Sequence, residues 1–246
     1  MSDIKVTIIT VAYNRADTIA TAIESVLNQT YSNIEYLVVD GLSKDNTADI
    51  ARKYIPLFKE KGMEMKVISE PDRGMYDALN KGISMATGEL IGNINADDWY
   101  EPIAVEKMVE LYKKENYDLA WADLRIIKPS GNLIKKAHVG RLKTTTGFCH
   151  PTMFSRREVL LELPYACEQM DDDFEMVTRA YKAGKKISLL NETLANYRFG
   201  GMSTKKSIKS SVGRMKMKYD TYKKHGFSRL YRLYCFAIEF TKYVLG

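Results

Sequence analysis

The sequence predicts an α/β fold, a doubly wound mixed sheet followed by a C-terminal helical appendage. Three observations predict it. Four apolar runs in the first hundred residues lack the polar alternation of a half-solvated strand, and amphipathic stretches separate them, as in a parallel sheet covered on both faces. Two further β-rich runs flank Pro129-Ser130-Gly131-Asn132, a hairpin turn that brings antiparallel pairing. The last 44 residues carry eleven Lys or Arg against Asp220 and Glu239, a net +9, where the preceding 202 residues carry −3.

The elements follow in order. Residues 4–12 (IKVTIITVA) are a β-branched strand, and Asp17 stands where it can cap a helix whose buried stripe is Ile19, Ile23, Val26 and Leu27. IEYLVVD (34–40) is a second strand, after which Ser43 to Thr47 offer turn and cap chemistry for a helix reaching about Lys61. KVISE (66–70) is the third strand. Tyr76 to Ala86 reads as a helix ended by Gly88, and ELIGNIN (89–95) is the fourth strand. Beyond it come the hairpin strands LAWADLRII and LIKKAHV, a Gly-Phe-Cys-His-Pro loop, a helix from Met170 to Ala183, and separate strands in KISLL and LANYRF. The first half is thus a Rossmann-like unit, whose ligands bind at the carboxyl ends of the strands.

Composition narrows the class. A chain of 246 residues holds one well-buried α/β domain and an appendage, and 45% hydrophobic with 28% charged residues excludes disordered and fibrous classes. MSDIKVTIIT lacks the basic head and cleavage site of a signal peptide, and no apolar run reaches the length of a membrane span, so a cytoplasmic protein is expected. Cys149, Cys167 and Cys235 are too scattered for a metal site or a disulfide framework.

The strand-end rule singles out Val11 to Arg15, Asp40 to Asn46, Glu70 to Tyr76 and Asn95 to Trp99. Asn95-Ala96-Asp97-Asp98-Trp99 directly follows a buried strand. A lone acid there would be a helix cap, but two adjacent carboxylates repel, and a hard cation such as Mg²⁺ or Mn²⁺ offsets that repulsion. Asp40 is placed to accept hydrogen bonds from a base edge or a ribose hydroxyl; a turn role is the alternative, although Ser43 and Asp45 already supply one. Arg73, in Glu70-Pro71-Asp72-Arg73-Gly74-Met75-Tyr76-Asp77, is either a base or diphosphate ligand or a solvated side chain. Asp171-Asp172-Asp173 suits the dipole of a helix start, or projects an acid into the cleft as a general base.

Taken together, VTIITVAYNR, VVDGLSKDNT, EPDRGMYDALNKGISMATGELIGNINADDWYEP and MDDDFEMVTRA resemble the family 2 glycosyltransferases over roughly residues 4 to 200. These are inverting enzymes with the A-type (GT-A) fold. The resemblance implies that Asp40 and Arg73 contact the nucleotide base, that Val11 and Tyr13 line its pocket, and that Asp97 and Asp98 bind Mn²⁺ or Mg²⁺ on the diphosphate. Asp77, Asn95 and Ala96 fall in the same nucleotide-sugar set. It also implies Asp173 as catalytic base, preferred over its neighbours by spacing to Glu175 and Arg179. His150 is a candidate beside the acceptor or the metal, with a packed loop histidine as the alternative, and Arg198, in Tyr197-Arg198-Phe199-Gly200-Gly201, a candidate diphosphate ligand. Two positions depart from the pattern: Asn95 stands where many members have Asp, and Gly41 where others carry a second Asp. The implied activity transfers a sugar from a nucleotide-sugar, UDP-linked by family inference, to a saccharide or lipid-linked saccharide hydroxyl in cell-surface polysaccharide synthesis.

On this basis residues 1–202 form a catalytic domain, with a nucleotide-binding half to residue 100 and an acceptor half after it, and 203–246 a pair of basic amphipathic helices. In the second of these, Arg229, Arg232, Glu239 and Lys242 share one side of a helical wheel, leaving Leu230, Tyr231, Leu233, Tyr234, Phe236, Ile238, Phe240 and Val244 in a wide apolar face. That face suits an anionic membrane surface, a second copy of the chain, or the catalytic domain itself, and the first would place the protein peripherally at the inner face of the membrane. Two other functions compete. A sugar-nucleotide nucleotidyltransferase would carry a Gly-rich basic loop after the first strand, where this chain has Val11-Ala12-Tyr13-Asn14-Arg15. A non-catalytic basic binding module would use the tail alone, but no nucleic acid is expected as a partner. A dinucleotide-dependent dehydrogenase is excluded by the absence of Gly-x-Gly-x-x-Gly.

Overall fold

The computed structural model describes residues 4–139, 147–168, 171–200 and 208–245. The first half forms as the apolar runs dictate. Strands β1 (Val6–Ala12), β2 (Ile34–Asp40), β3 (Glu64–Ser69) and β4 (Leu90–Asn93) lie parallel in the order β3-β2-β1-β4. Every residue of β1, β2 and β4 is buried, because helices cover both faces. Helix α1 (Ile19–Leu27) buries Ile19, Ile23, Val26 and Leu27, the stripe read from the sequence. Each such side chain removed from water contributes about 1.5–3 kcal/mol.

The second half makes the sheet mixed. After β5 (Trp99–Tyr100) and helix α5 (Ala104–Glu115), β6 (Leu119–Ile127) and β7 (Leu133–Lys135) form the expected hairpin, with Gly131 at φ 118 in its turn. A 3-10 turn (His150–Thr152) leads into β8 (Phe154–Arg156), which pairs antiparallel with both β4 and β6 and so joins the two halves. Helices α6 (Arg157–Glu162) and α7 (Asp172–Lys182) follow, then β9 (Ile187–Arg198), parallel to β6 and antiparallel to β5.

Several expectations are corrected. The helix from Thr47 to Lys61 is two: α2 (Thr47–Arg52) and α3 (Ile55–Glu60). Pro56 has no N–H to continue the ladder and instead sits in the first turn of α3. Asp17 does not cap α1; Thr18 holds that position without a side-chain bond. KISLL and LANYRF are one twelve-residue strand, β9, with register shifts on either side of Asp123 where it pairs with β6. Helix α4 (Met75–Met85) ends before Gly88, whose role is steric. A Cβ there would approach the Thr7 amide nitrogen to 2.5 Å and the Lys5 carbonyl to 2.9 Å, and the Gly88 amide donates to Thr7 Oγ1 at 2.9 Å. Helix α7 starts at Asp172, and Gln169 and Met170 lie outside the described residues.

Not every polar group inside the sheet is matched: Asn93 Nδ2 and Ser155 Oγ are buried without a hydrogen-bond partner among the described residues. Glu35 is fully buried in β2, accepting from Thr7 Oγ1 at 2.7 Å and from the Thr87 amide at 2.8 Å. Burial would raise its pKa, but those hydrogen bonds outweigh it and hold the carboxyl below its ordinary value.

The C-terminal helices α8 (Ile208–Lys224) and α9 (Tyr231–Leu245) pair as a hairpin turning at Gly226, φ 71. They form a second small core on α7: Phe174 meets Tyr222 edge-on at 5.6 Å, and Cys235, Phe227 and Tyr231 close around it. Glu239 does not belong to a solvated charged edge. It is buried between the two helices, paired with Arg214 at 2.9 Å and Lys218 at 2.5 Å. The tail residues Lys205 and Lys206, and the side chain of Lys242, lie outside the described residues.

Candidate active site

The carboxyl ends of β1, β2 and β4 emerge side by side, and their loops are laced together. Asn14, at φ 52, donates its backbone N–H to Ser43 Oγ at 2.8 Å and accepts the Lys44 amide on its side chain at 2.8 Å. The Arg15 amide donates to Thr47 Oγ1 at 2.7 Å. Val11 is buried at the end of β1, while Tyr13, 51% exposed, presents its ring at the rim.

Asp40 is fully buried and accepts from Ser43 Oγ, from the Ser43 amide at 3.0 Å and from Ser69 Oγ at 2.6 Å. It therefore fixes the turn itself, through Ser43, where the sequence suggested that Ser43 and Asp45 relieve it of that duty. Asp45 bonds the Thr47 amide at 3.0 Å and the Ala16 amide at 3.2 Å. The space beside Gly41 is taken by the Asp72 carboxylate, which a Cβ there would meet. Asp72 thus fills in space the place that a second acid after Asp40 would take, and the Gly74 amide holds it at 2.8 Å. Sequence reasoning missed Asp72, although it lies inside the EPDRGMYD motif. Arg73 extends into solvent with 81% of its side chain exposed, tied to Asp77 at 2.8 Å, while Lys81 of α4 anchors the loop through Glu70 at 2.9 Å.

Asp97 and Asp98 have different surroundings. Asp98 is fully buried and accepts the Arg198 amide at 3.0 Å and Asn95 Nδ2 at 3.3 Å. Burial, with the neighbouring charge of Asp97 adding to it, pushes its carboxyl up to about 7. Asp97 keeps a quarter of its side chain in solvent, and Arg15 Nε lies 3.8 Å away. Arg198, at the end of β9, reaches back with Nε 3.4 Å from the Asp97 carbonyl and its guanidinium over the Trp99 ring. Neither acid caps the next helix: Gln29 accepts the Val105 amide at the start of α5. No group of three acidic, His or Cys side chains with metal-holding geometry exists among the described residues. Mg²⁺ and Mn²⁺ on a diphosphate need only one or two protein carboxylates, however. A half-open Asp97 beside a buried acid under repulsion fits that role.

Asp173 stands at the start of α7, and three distant segments converge on it. His150 Nδ1 lies 3.7 Å from Asp173 Oδ2, and His150 Nε2 is 3.1 Å from the Tyr165 hydroxyl. Tyr76, from the start of α4, is hydrogen-bonded to Asp173 and stacks on Tyr165 at 5.2 Å. Asn80 fixes Tyr165 through both backbone groups, donating to its carbonyl at 2.8 Å and accepting its amide at 3.1 Å. Burial lowers the His150 pKa against the opposing pull of Asp173, so the imidazole is neutral at pH 7. Burial first and Asp173 second raise Tyr76 and Tyr165 well above the ordinary phenol value. Tyr76 was visible in a motif; Tyr165 carried no sequence signal, being placed by Asn80 eighty-five residues away.

The arrangement brings Asp40, Arg15 and Asp97 to one rim, with Asp173 reached through His150 on the turn that packs against β4. The mixed sheet in the order β3-β2-β1-β4-β8-β6-β9-β5, with helices on its faces and acids at its strand ends, is a GT-A type glycosyltransferase fold. The chain belongs to glycosyl transferase family 2, whose model matches residues 7–164. It is 29% identical over 232 residues to an uncharacterised glycosyltransferase of Nostoc sp., a match covering 87% of this chain and 70% of that one. It is 30% identical over 225 residues to the chondroitin synthase of Pasteurella multocida, covering 88% of this chain and 22% of that much longer one. Among solved structures, S. aureus TarS 1–349 in complex with UDP-GlcNAc superposes with a TM-score of 0.71 at 16% identity, over 97% of this chain and 72% of the other. The mannosyltransferase PcManGT of Pyrobaculum calidifontis, in complex with GDP-Man and Mn²⁺, does so with a TM-score of 0.70 at 17% identity, over 99% and 71%.

Proposed function

We propose that this glycosyltransferase moves a sugar, with inversion, from a nucleotide-sugar to a hydroxyl of a saccharide or lipid-linked saccharide during cell-surface polysaccharide synthesis. The observation that carries the reading is the convergence of Tyr76, His150 and Tyr165 on Asp173, away from the acidic rim at Asp97. Residues 1–202 act as the catalytic domain and 203–246 as its appendage.

In this account the donor base sits at the β1–β2 rim between Val11 and Tyr13, with Asp40, Asp72 and Arg73 at its edge. UDP is the expected nucleotide, in keeping with the UDP-GlcNAc bound by TarS. Asp77, Asn95 and Ala96 shape the sugar side, and Arg198 faces the diphosphate. A divalent cation, Mn²⁺ or Mg²⁺, would be held by Asp97 with Asp98 behind it, and it supplies charge neutralisation for the departing diphosphate. Asp173 takes the proton of the acceptor hydroxyl as its oxygen attacks the anomeric carbon. His150, with Nε2 3.1 Å from the Tyr165 hydroxyl and Nδ1 3.7 Å from Asp173 Oδ2, packs beside the Asp173 carboxylate and limits where it can point.

The test is a donor screen following nucleoside diphosphate release with Mn²⁺ or Mg²⁺ present, repeated on Asp173→Asn. Transfer should fall by about 10²–10⁴-fold, the usual contribution of a general base, with donor affinity nearly unchanged. Transfer surviving in the variant would remove Asp173 from the role.

A further inference from the structure

We propose that the α8–α9 hairpin is a docking face for an anionic lipid bilayer, lying in the headgroup layer with one row of α9 turned inward. The inner side of the hairpin is already used. Tyr222, Phe227, Tyr231 and Cys235 pack on Phe174, Glu239 is neutralised between the helices, and His225 and Lys224 reach Glu175 at 2.9 and 3.7 Å.

The outer side of α9 has no such cover. Leu233, Phe236, Phe240, Tyr243 and Val244 are between 43% and 69% exposed, with Leu230 at 72% just before the helix, and helical spacing sets the five on one side of α9. The row spans Leu233 to Val244, about 17 Å along α9. Phe236 and Phe240 stack on each other at 5.9 Å on the outer surface. Single exposed apolar residues are ordinary, but a continuous row of this length needs a partner.

Charge selects which partner. Arg229 and Arg232 open the row, and Lys209, Lys216 and Lys223, seven residues apart, line the exposed side of α8. Among the described side chains of the hairpin, Asp220 is the one exposed acid. A second copy docking row to row would bring two such basic surfaces together, at a repulsive cost. An anionic bilayer takes the apolar row into its interface and the Lys and Arg side chains against its phosphates. No described helix is long and apolar enough to cross a membrane, so the hairpin would lie in the plane. The inference stands independently of the catalytic assignment.

Vesicle co-sedimentation of the full chain decides it, with phosphatidylcholine vesicles containing phosphatidylglycerol against pure phosphatidylcholine. The protein should sediment with the anionic vesicles only, and added salt should release it. Phe236→Ser with Phe240→Ser should lower partitioning by more than about tenfold, since each ring loses its burial in the interface. Arg229→Gln and Arg232→Gln should each lower it by about fivefold. All four positions are exposed, and circular dichroism is the check that the variants fold. Absence of sedimentation, equal sedimentation with neutral vesicles, or binding indifferent to the paired Ser substitutions overturns the proposal. So does a dimer in light scattering that the Ser substitutions dissociate while vesicles bind nothing.

Discussion

Asp40 and Asp98 both follow a buried strand and both are wholly enclosed, yet their surroundings differ. Asp40 is surrounded by donors from Ser43 and Ser69, whereas Asp98 receives a single backbone amide and one weak amide contact beside another acid. The first arrangement holds a loop in place; the second leaves a buried carboxyl with few donors, and burial with the charge of Asp97 raises its pKa. His150 shows the same logic for a base. Its replacement by Gln keeps polarity but loses the bridge from Tyr165 to Asp173, so kcat should drop by about tenfold, a small part of a general base's full effect. Donor KM should stay level, and steady-state kinetics separate the two. Gly88 offers a structural counterpart. Gly88→Ala must push a Cβ against the Thr7 and Lys5 backbone, which cannot yield as a side chain tip would. A loss of about 1–3 kcal/mol is expected, read as a lower urea midpoint at constant slope.

At the scale of elements, α7 links the two cores. Its first turn carries Asp173, its next residue Phe174 enters the small core under the hairpin, and Glu175 receives Arg179 at 2.8 Å and His225 at 2.9 Å. Burial alone would raise the Glu175 pKa; its bond to Arg179, and then His225, bring it below the ordinary value. A carboxyl depressed in the folded state adds stability above its unfolded pKa and loses it as pH falls through the folded one. The hairpin should therefore loosen on acidification below the normal Glu range, before the main sheet unfolds, which hydrogen exchange in residues 208–245 would detect. Glu175→Ala leaves Arg179 and His225 without their acceptor and should cost about 3 kcal/mol at neutral pH. That loss should shrink in acid, where the native carboxyl is already protonated.

Across the whole molecule, β8 has a joining role that its three residues do not advertise. By pairing antiparallel with β4 and β6 it joins the two halves into one sheet and carries His150 and its turn against the end of β4. The separation makes a prediction about cation dependence. Chelation should abolish transfer and Mn²⁺ restore it, and Asp97→Asn should weaken that rescue while leaving thermal stability nearly unchanged, because Asp97 is half-open where Asp98 is enclosed. Restoration of full transfer in Asp97→Asn at low Mn²⁺ would put the cation elsewhere.

The sequence by itself determined the parallel half of the sheet, since runs such as VTIITVA and IEYLVVD can be stable only when covered on both faces, and it determined which loops stand at their carboxyl ends. It also marked Asp97 and Asp98, because adjacent acids after an apolar run are costly without a purpose, while Asp173 stood out only through the family resemblance. It misjudged the helix at Pro56, the strand split at Glu192, and Glu239, because each depends on what packs alongside. Only the tertiary structure decided that Asp72 fills the space beside Gly41, that Asn80 delivers Tyr165 to His150, and that the hairpin turns one side of α9 outward. Local pattern encodes burial, which is a property of each segment. Contacts between residues eighty or more positions apart depend on how the sheet is ordered, and no segment carries that information alone.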